Sequence, residues 1–214
     1  MKSAILLLAL LPVAFATLGF DADQAISTSQ FTCLKGEGYQ FFIGRIWRSS
    51  GAYDFTGMQN IRNAHAAGIS YIDGYIFPCL RSGCAHAANQ VEATINKLSE
   101  TGTKIGTLWL DVETYAWPAN HASNRQFILD MANQAHSMGV RVGIYSNNNN
   151  WEQIVGLDWT GVHQYDLWWA NYGGHQNFNG FVPFGGWSKP AIRQYAGDKG
   201  GPCGVTDYDL NWYP

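Results

Sequence analysis

Ile105-Gly-Thr-Leu-Trp-Leu-Asp-Val-Glu113 is the stretch on which the fold turns. It reads as a β-strand, in which successive side chains face opposite sides. Leu108, Leu110 and Val112 share one face; Trp109, Asp111 and Glu113 share the other. The aliphatic face needs helices packed against it. The other face carries an indole and two acids and ends at the strand's C-terminal edge, where α/β sheets keep their chemistry.

Working outward, strand-like runs cover 18–23, 39–47, 69–77 and 141–146, with helix-like stretches between them. Ser27 to Leu34 is a short helix candidate. Asp54 can cap a helix in which Met58, Ile61 and Ala64 recur at helical spacing, with a stop at Gly68. Val91, Ile95 and Leu98 share one face of the next, which stops at Gly102. Ser123 is expected to cap a helix striped by Phe127, Met131, Ala135 and Met138 and closed by Gly139. Five βα-like units in succession argue for a parallel sheet with crossover helices. After Gly156 the helical pattern fades, and 166–172, 190–195 and 205–212 read as three strands joined by glycine-rich loops. Eight strands with about five flanking helices predict an α/β fold, a modified TIM-like barrel whose last third lacks its helical jacket. An open doubly wound sheet is the alternative, but no G-x-G-x-x-G turn follows the first strand.

The N-terminus reads differently. Met1-Lys2 starts positive, Ala4 to Val13 is apolar, and Ala14-Phe15-Ala16 is an A-x-A cleavage site. The expectation is a secretory signal peptide over 1–16 and one catalytic domain over 17–214. The formal net charge is −3, with no basic tract, so a nucleic-acid partner has no electrostatic footprint. No later segment is apolar enough to suggest a membrane span, and a monomer is expected. Aromatics make up 14% of the chain, equal to the charged fraction, with nine Trp and eleven Tyr. Rings in that number can both pack a core and line a sugar cleft, because a pyranose has an apolar face and a hydroxyl rim.

Four cysteines allow three pairings, and an even count in a secreted chain favours two disulfides. Cys79 and Cys84 bracket a tight Leu-Arg-Ser-Gly turn, which pairs them and leaves Cys33 with Cys203. No cysteine or histidine spacing suits zinc, and clustered acids near Asp111 lack the neighbours in sequence that a calcium or magnesium cage needs. No cofactor and no metal are expected.

The acids carry the chemistry. Asp21 lies near the end of the first strand, and Asp209 lies on the last strand. Barrel closure makes those strands neighbours and sets Asp111 and Glu113 opposite them. A glycosidic oxygen is a poor leaving group and needs a proton. A carboxyl among other carboxylates and aromatic walls holds one near neutrality. Glu113 has the longer reach and is the candidate donor; Asp111, Asp21 and Asp209 are the candidate ionised partners. The six histidines are scattered, and no G-x-S-x-G marks a serine nucleophile.

With those residues in hand, the chain resembles the glycoside hydrolase family 25 lysozymes, the Chalaropsis-type muramidases, over essentially its whole mature length. Gly19-Phe-Asp21, Gly74-Tyr-Ile-Phe77, Leu110-Asp-Val-Glu113, Gly143-Ile-Tyr-Ser146 with Trp151, Leu167-Trp-Trp-Ala-Asn-Tyr172, Gln194-Tyr195 and Asp209-Leu-Asn211 follow in the family's order. The resemblance implies hydrolysis of the β-1,4 bond between N-acetylmuramic acid and N-acetylglucosamine in bacterial peptidoglycan, for defence or digestion. It makes Glu113 the proton donor, Asp111 its partner, and Asp21 and Asp209 the supporting acids. It makes Tyr75, Tyr145, Trp168, Tyr172, Gln194 and Tyr195 the substrate contacts. Arg193 stands where the family often has an aromatic, so one cleft wall is expected to differ. The cysteines fit a secreted eukaryotic branch. Inverting, retaining and N-acetyl-assisted courses all stay open, because positions on one strand do not set a carboxyl separation. Two rivals are a glycan-binding barrel without catalysis and a hydrolase of another N-acetylated glycan such as chitin. Against the latter, Gly106 and Trp109 replace two acids of the commonest chitinase run.

Overall fold

The computed structural model describes residues 16–214, so the expected signal peptide lies, but for Ala16, outside the described residues. Nine strands form one sheet: β1 (Thr17–Ala22), β2 (Tyr39–Arg48), β3 (Ala52–Tyr53), β4 (Tyr71–Ile76), β5 (Thr107–Asp111), β6 (Arg141–Ser146), β7 (Asp166–Ala170), β8 (Ile192–Lys199) and β9 (Tyr208–Tyr213). β3 is a two-residue flap paired only with β2. The other eight close into a barrel, because β1 pairs with both β2 and β9. Pairings from β1 through β2, β4, β5, β6 and β7 to β8 are parallel, and β9 runs antiparallel to both of its neighbours. The barrel reading therefore holds and the open sheet does not.

Five helices cover the barrel: α1 (Thr28–Gly36), α2 (Phe55–Ala67), α3 (Ala87–Glu100), α4 (His121–Ser137) and α5 (Asn148–Ile154). Local chemistry sets most of their ends. Ser27 and Gln30 form a reciprocal capping box on α1. Asp54 caps α2 through Gly57 N, and Gly68 ends that helix at φ +76°, a left-handed position that L side chains rarely adopt. α4 departs from expectation. Its cap is Asn120, whose carboxamide oxygen accepts from Ser123 N at 3.1 Å, while the Ser123 hydroxyl donates to Asn120 O. Both residue types cap helices, and the extended backbone at Asn120 places the true start three residues earlier.

The faces of β5 divide as its alternation requires. Leu108, Leu110 and Val112 are fully buried between barrel and helices, with Phe42, Ile144, Leu167 and Trp169. Each such aliphatic side chain contributes roughly 1.5–3 kcal/mol by leaving water. Inside the barrel, Phe41, Ile43, Trp109, Tyr145, Trp168 and Ile192 form a separate cluster. A Cβ on Gly143 would lie 2.3 Å from Trp109 Cε3, so this neighbouring strand must carry glycine for the indole to fit.

The helical jacket stops after α5. Over β7 and β8 its place is taken by irregular chain rich in rings. Phe181 packs edge-on against Trp169 at 5.2 Å, and Phe184 and Trp187 close on Trp151. The Arg193 guanidinium lies 4.9 Å over the Trp169 ring and donates to Asn171 O, Asn171 Oδ1 and Asn177 O. Arg193 is thus a buried pin for segment 171–177 on the outer face, and it does not form a cleft wall as expected. The two disulfides are Cys33–Cys203, joining α1 to the turn before β9, and Cys79–Cys84.

Candidate active site

The barrel's mouth, at the C-terminal ends of its parallel strands, holds a narrow pocket of about 120 Å³. β5 delivers Asp111, and the chain continues past the strand to Glu113. Four bonds guide that continuation: Val112 N donates to Tyr145 O, the Ser146 hydroxyl donates to Val112 O, and the Thr114 backbone N–H and hydroxyl both donate to Asn150 Oδ1. β1 and β9 supply the opposite wall, where Asp21 and Asp209 are direct cross-strand partners. All four acids line the pocket.

Gln194 on β8 organises them. Its amide nitrogen donates to Asp21 Oδ1 at 2.8 Å and to Asp209 Oδ2 at 3.1 Å. Its amide oxygen accepts from the Tyr145 hydroxyl at 2.7 Å and the Tyr172 hydroxyl at 3.0 Å. Asn211 extends the network, donating to Asp21 Oδ1 at 2.6 Å and accepting from Trp168 Nε1 at 2.7 Å. Asn211 belongs to the β9 motif but was not singled out as a site residue. The alternation of β9 puts it on the same face as Asp209, and that signal was available.

Tyr75, Trp168 and Tyr172 also line the pocket. Trp168 is 2% exposed and forms its floor, whereas Tyr172 is 58% exposed and stands at its edge. Tyr195 is elsewhere. One residue past the inward Gln194, it takes the opposite face, is buried there, and accepts from Gln176 Nε2 at 3.3 Å. Its expected substrate contact is not available in this arrangement.

Four carboxyls in so small a space cannot all be charged. Burial raises Asp111 well above the ordinary carboxylate range, and the Glu113 charge raises it further. Burial, then Asp209, does the same for Asp21. Glu113 is raised by burial and then by Asp209. Asp209 is pushed up to about 6, first by burial and then by charges that include Asp198, Asp207 and Asp23. The carboxylates of Asp198, Asp207 and Asp209 converge within 4.8 Å, so folding supplies acidic neighbours that the sequence around Asp111 lacks. Arg45, held by Asp23 at 2.8 Å and the buried Asp54 at 2.7 Å, opposes the trend at Asp111. Asp111 Oδ1 is a buried atom with no partner in the protein. Buried polar atoms are rarely left so, and this one lies in the pocket wall.

Comparison with known proteins identifies the family. The family profile described as lysozyme-like protein 1 matches residues 13–195. "Probable GH family 25 lysozyme 2" of Dictyostelium discoideum is 39% identical over 206 residues, covering 96% of this chain and 95% of that one. The chain belongs to the glycoside hydrolase family 25 lysozymes. It is a glycoside hydrolase of lysozyme type. "Lysozyme-like protein 5" of Caenorhabditis elegans is 52% identical over 202 residues, 94% of each chain. The muramidase from Acremonium alcalophilum superposes with a TM-score of 0.71 at 22% identity, covering 92% of this chain and 93% of that one. A family GH25 lysozyme from Aspergillus fumigatus gives 0.70 at 19%, over 94% of each. At those identities the two structures establish the shared barrel.

The lysozyme pocket makes a signed prediction at Asp209. Asp209→Asn removes a charge that raises Glu113, so the alkaline limb of activity moves to lower pH. The wild-type carboxyl titrates near 6 when folded and near 3.9 when unfolded. Its stabilising contribution is complete below about pH 4 and is lost as pH rises through about 6. Thermal melts from pH 4 to 7 should therefore fall less in Asp209→Asn than in wild type. Parallel melting curves, or an unmoved alkaline limb, would contradict this coupling.

Proposed function

We propose that this lysozyme is secreted and cleaves the β-1,4 bond between N-acetylmuramic acid and N-acetylglucosamine of bacterial peptidoglycan, serving defence, digestion or both. The observation that carries the reading is the clustering of Asp21, Asp111, Glu113 and Asp209 around one pocket, with burial and neighbouring acidic charge raising all four. Glu113, whose carboxyl is pushed up by burial and by Asp209, gives its proton to the glycosidic oxygen as the bond breaks. Positive charge developing on the sugar ring is stabilised by Asp209, ionised above about pH 6, whereas burial disfavours the charge expected on Asp111 and Asp21. The unpartnered Asp111 Oδ1 is the oxygen left for a substrate group. Tyr75, Tyr145 and Tyr172 surround the ring, and Tyr172 at the edge offers it a face. The signal-like N-terminus and two disulfides support secretion, because disulfides persist in oxidising compartments.

The test is digestion of purified peptidoglycan followed by identification of the new reducing ends. N-acetylmuramic acid ends are expected. N-acetylglucosamine ends would reassign the bond, and wall binding without new ends would favour a non-catalytic glycan binder.

Gln194→Leu probes the network itself. It removes two donors from the acids and the shared acceptor of two tyrosines. Misplacement of groups around the chemistry should lower kcat/KM by up to about 10²-fold. Wild-type kinetics would reduce Gln194 to packing.

A further inference from the structure

The active pocket uses one end of the barrel. At the other end, where the parallel strands begin, a depression of about 390 Å³ reaches inward to Trp109. Trp109 packs edge-on against Trp168 at 5.8 Å, and Trp168 floors the catalytic pocket. The indole pair therefore separates the two cavities.

The basal cavity has an aromatic wall and a polar floor. Tyr213 lies 5.1 Å from the Phe41 ring and 6.4 Å from the Tyr71 ring, and Tyr71 is 59% exposed. Asp73 lies deeper. Its Oδ1 accepts from Thr107 N at 2.8 Å and its Oδ2 from Trp109 Nε1 at 2.9 Å. Each carboxylate oxygen can accept twice, so Asp73 retains capacity for ligand hydroxyls. Arg141 and Asp166 pair on the rim and add a donor and acceptors.

These features select a ligand class. A wholly apolar ligand would desolvate Asp73 without offering it a hydrogen bond. An anion would meet two carboxylates and one arginine already paired with one of them. A neutral sugar ring has an apolar face for Tyr71 and Tyr213 and hydroxyl donors for Asp73.

We propose that the basal cavity is a second glycan-binding site, taking one neutral sugar ring of the wall polymer. The inference rests on the glycan specificity argued above. One ring binds weakly, but two sites on a single polymer raise the effective concentration at each. The site holds the enzyme on insoluble wall and adds nothing to turnover of short soluble fragments, which cannot span both sites.

Two indole protons report on the two ends. Trp109 Nε1–H donates to Asp73 at the base, and Trp168 Nε1–H donates to Asn211 at the mouth. The experiment titrates tri-N-acetylchitotriose into ¹⁵N-labelled Glu113→Gln protein, with and without Tyr71→Ala. The Trp109 resonance should shift saturably in the first protein and stay still in the second, while Trp168 behaves alike in both. An unmoved Trp109 overturns the basal site whatever Trp168 does. In the active background, Tyr71→Ala should lower retention on insoluble peptidoglycan by about tenfold and leave turnover of soluble muropeptide oligomers unchanged. Equal retention also overturns the proposal. Failure of the glycan reading itself would show separately, as no reducing ends from wild type and no response at Trp168.

Discussion

Glu113→Gln should lower turnover of peptidoglycan by about 10²–10⁴-fold, the usual contribution of a positioned general acid. Glutamine keeps the shape of the side chain and cannot give up a proton to the glycosidic oxygen. Folding should survive. Glu113 lies beyond the last paired residue of β5, and the bonds that guide the chain there come from Val112, Thr114 and Ser146. When ionised, Glu113 also disfavours ionisation of Asp111. The thermal midpoint near neutrality should therefore stay level or rise, as expected when a residue serves chemistry at a cost in stability. The measurement is kcat on soluble wall fragments beside a thermal melt. Near-wild-type turnover would remove Glu113 as the acid and pass the role to Asp111.

The second large effect concerns the bridge between the two ends of the domain. Cys33–Cys203 spans 170 residues, whereas Cys79–Cys84 spans 5. On the chain-entropy account a longer closed loop restrains the unfolded chain more. Cys33→Ser/Cys203→Ser should cost about 2–5 kcal/mol, a drop in Tm of roughly 5–20 °C for a domain of this size. Position adds to the cost. The bridge ties α1 to the turn that leads into β9, and β9 closes the barrel and carries Asp209. Cys79→Ser/Cys84→Ser should cost clearly less. Melting both double variants beside wild type gives the comparison. Equal losses would show that loop length does not govern stability here.

Much of this protein was legible in the residues. The alternation at 105–113 separated core-facing leucines from site-facing acids, and the structure keeps that division. Gly68 marked its helix end, the barrel reading held, and both cysteine pairs followed from a short turn and what remained. The misses have physical causes. Asn120 and Ser123 are both good caps, and only the backbone conformation at Asn120 chose between them. Tyr195 was grouped with Gln194 as a motif, although two adjacent strand residues cannot face one cleft. Arg193 looked like a cleft substitution and is a pin for an outer loop.

By itself the sequence determined which side chains share a face, because a strand's period of two and a helix's of 3.6 are properties of the local backbone. Tertiary structure alone decided which acids crowd one another, which are held above the ordinary carboxylate range, and that Gln194 and Asn211 join them. Those outcomes depend on distances and desolvation between strands far apart in the chain. Such distances exist only once β1 has closed on β9.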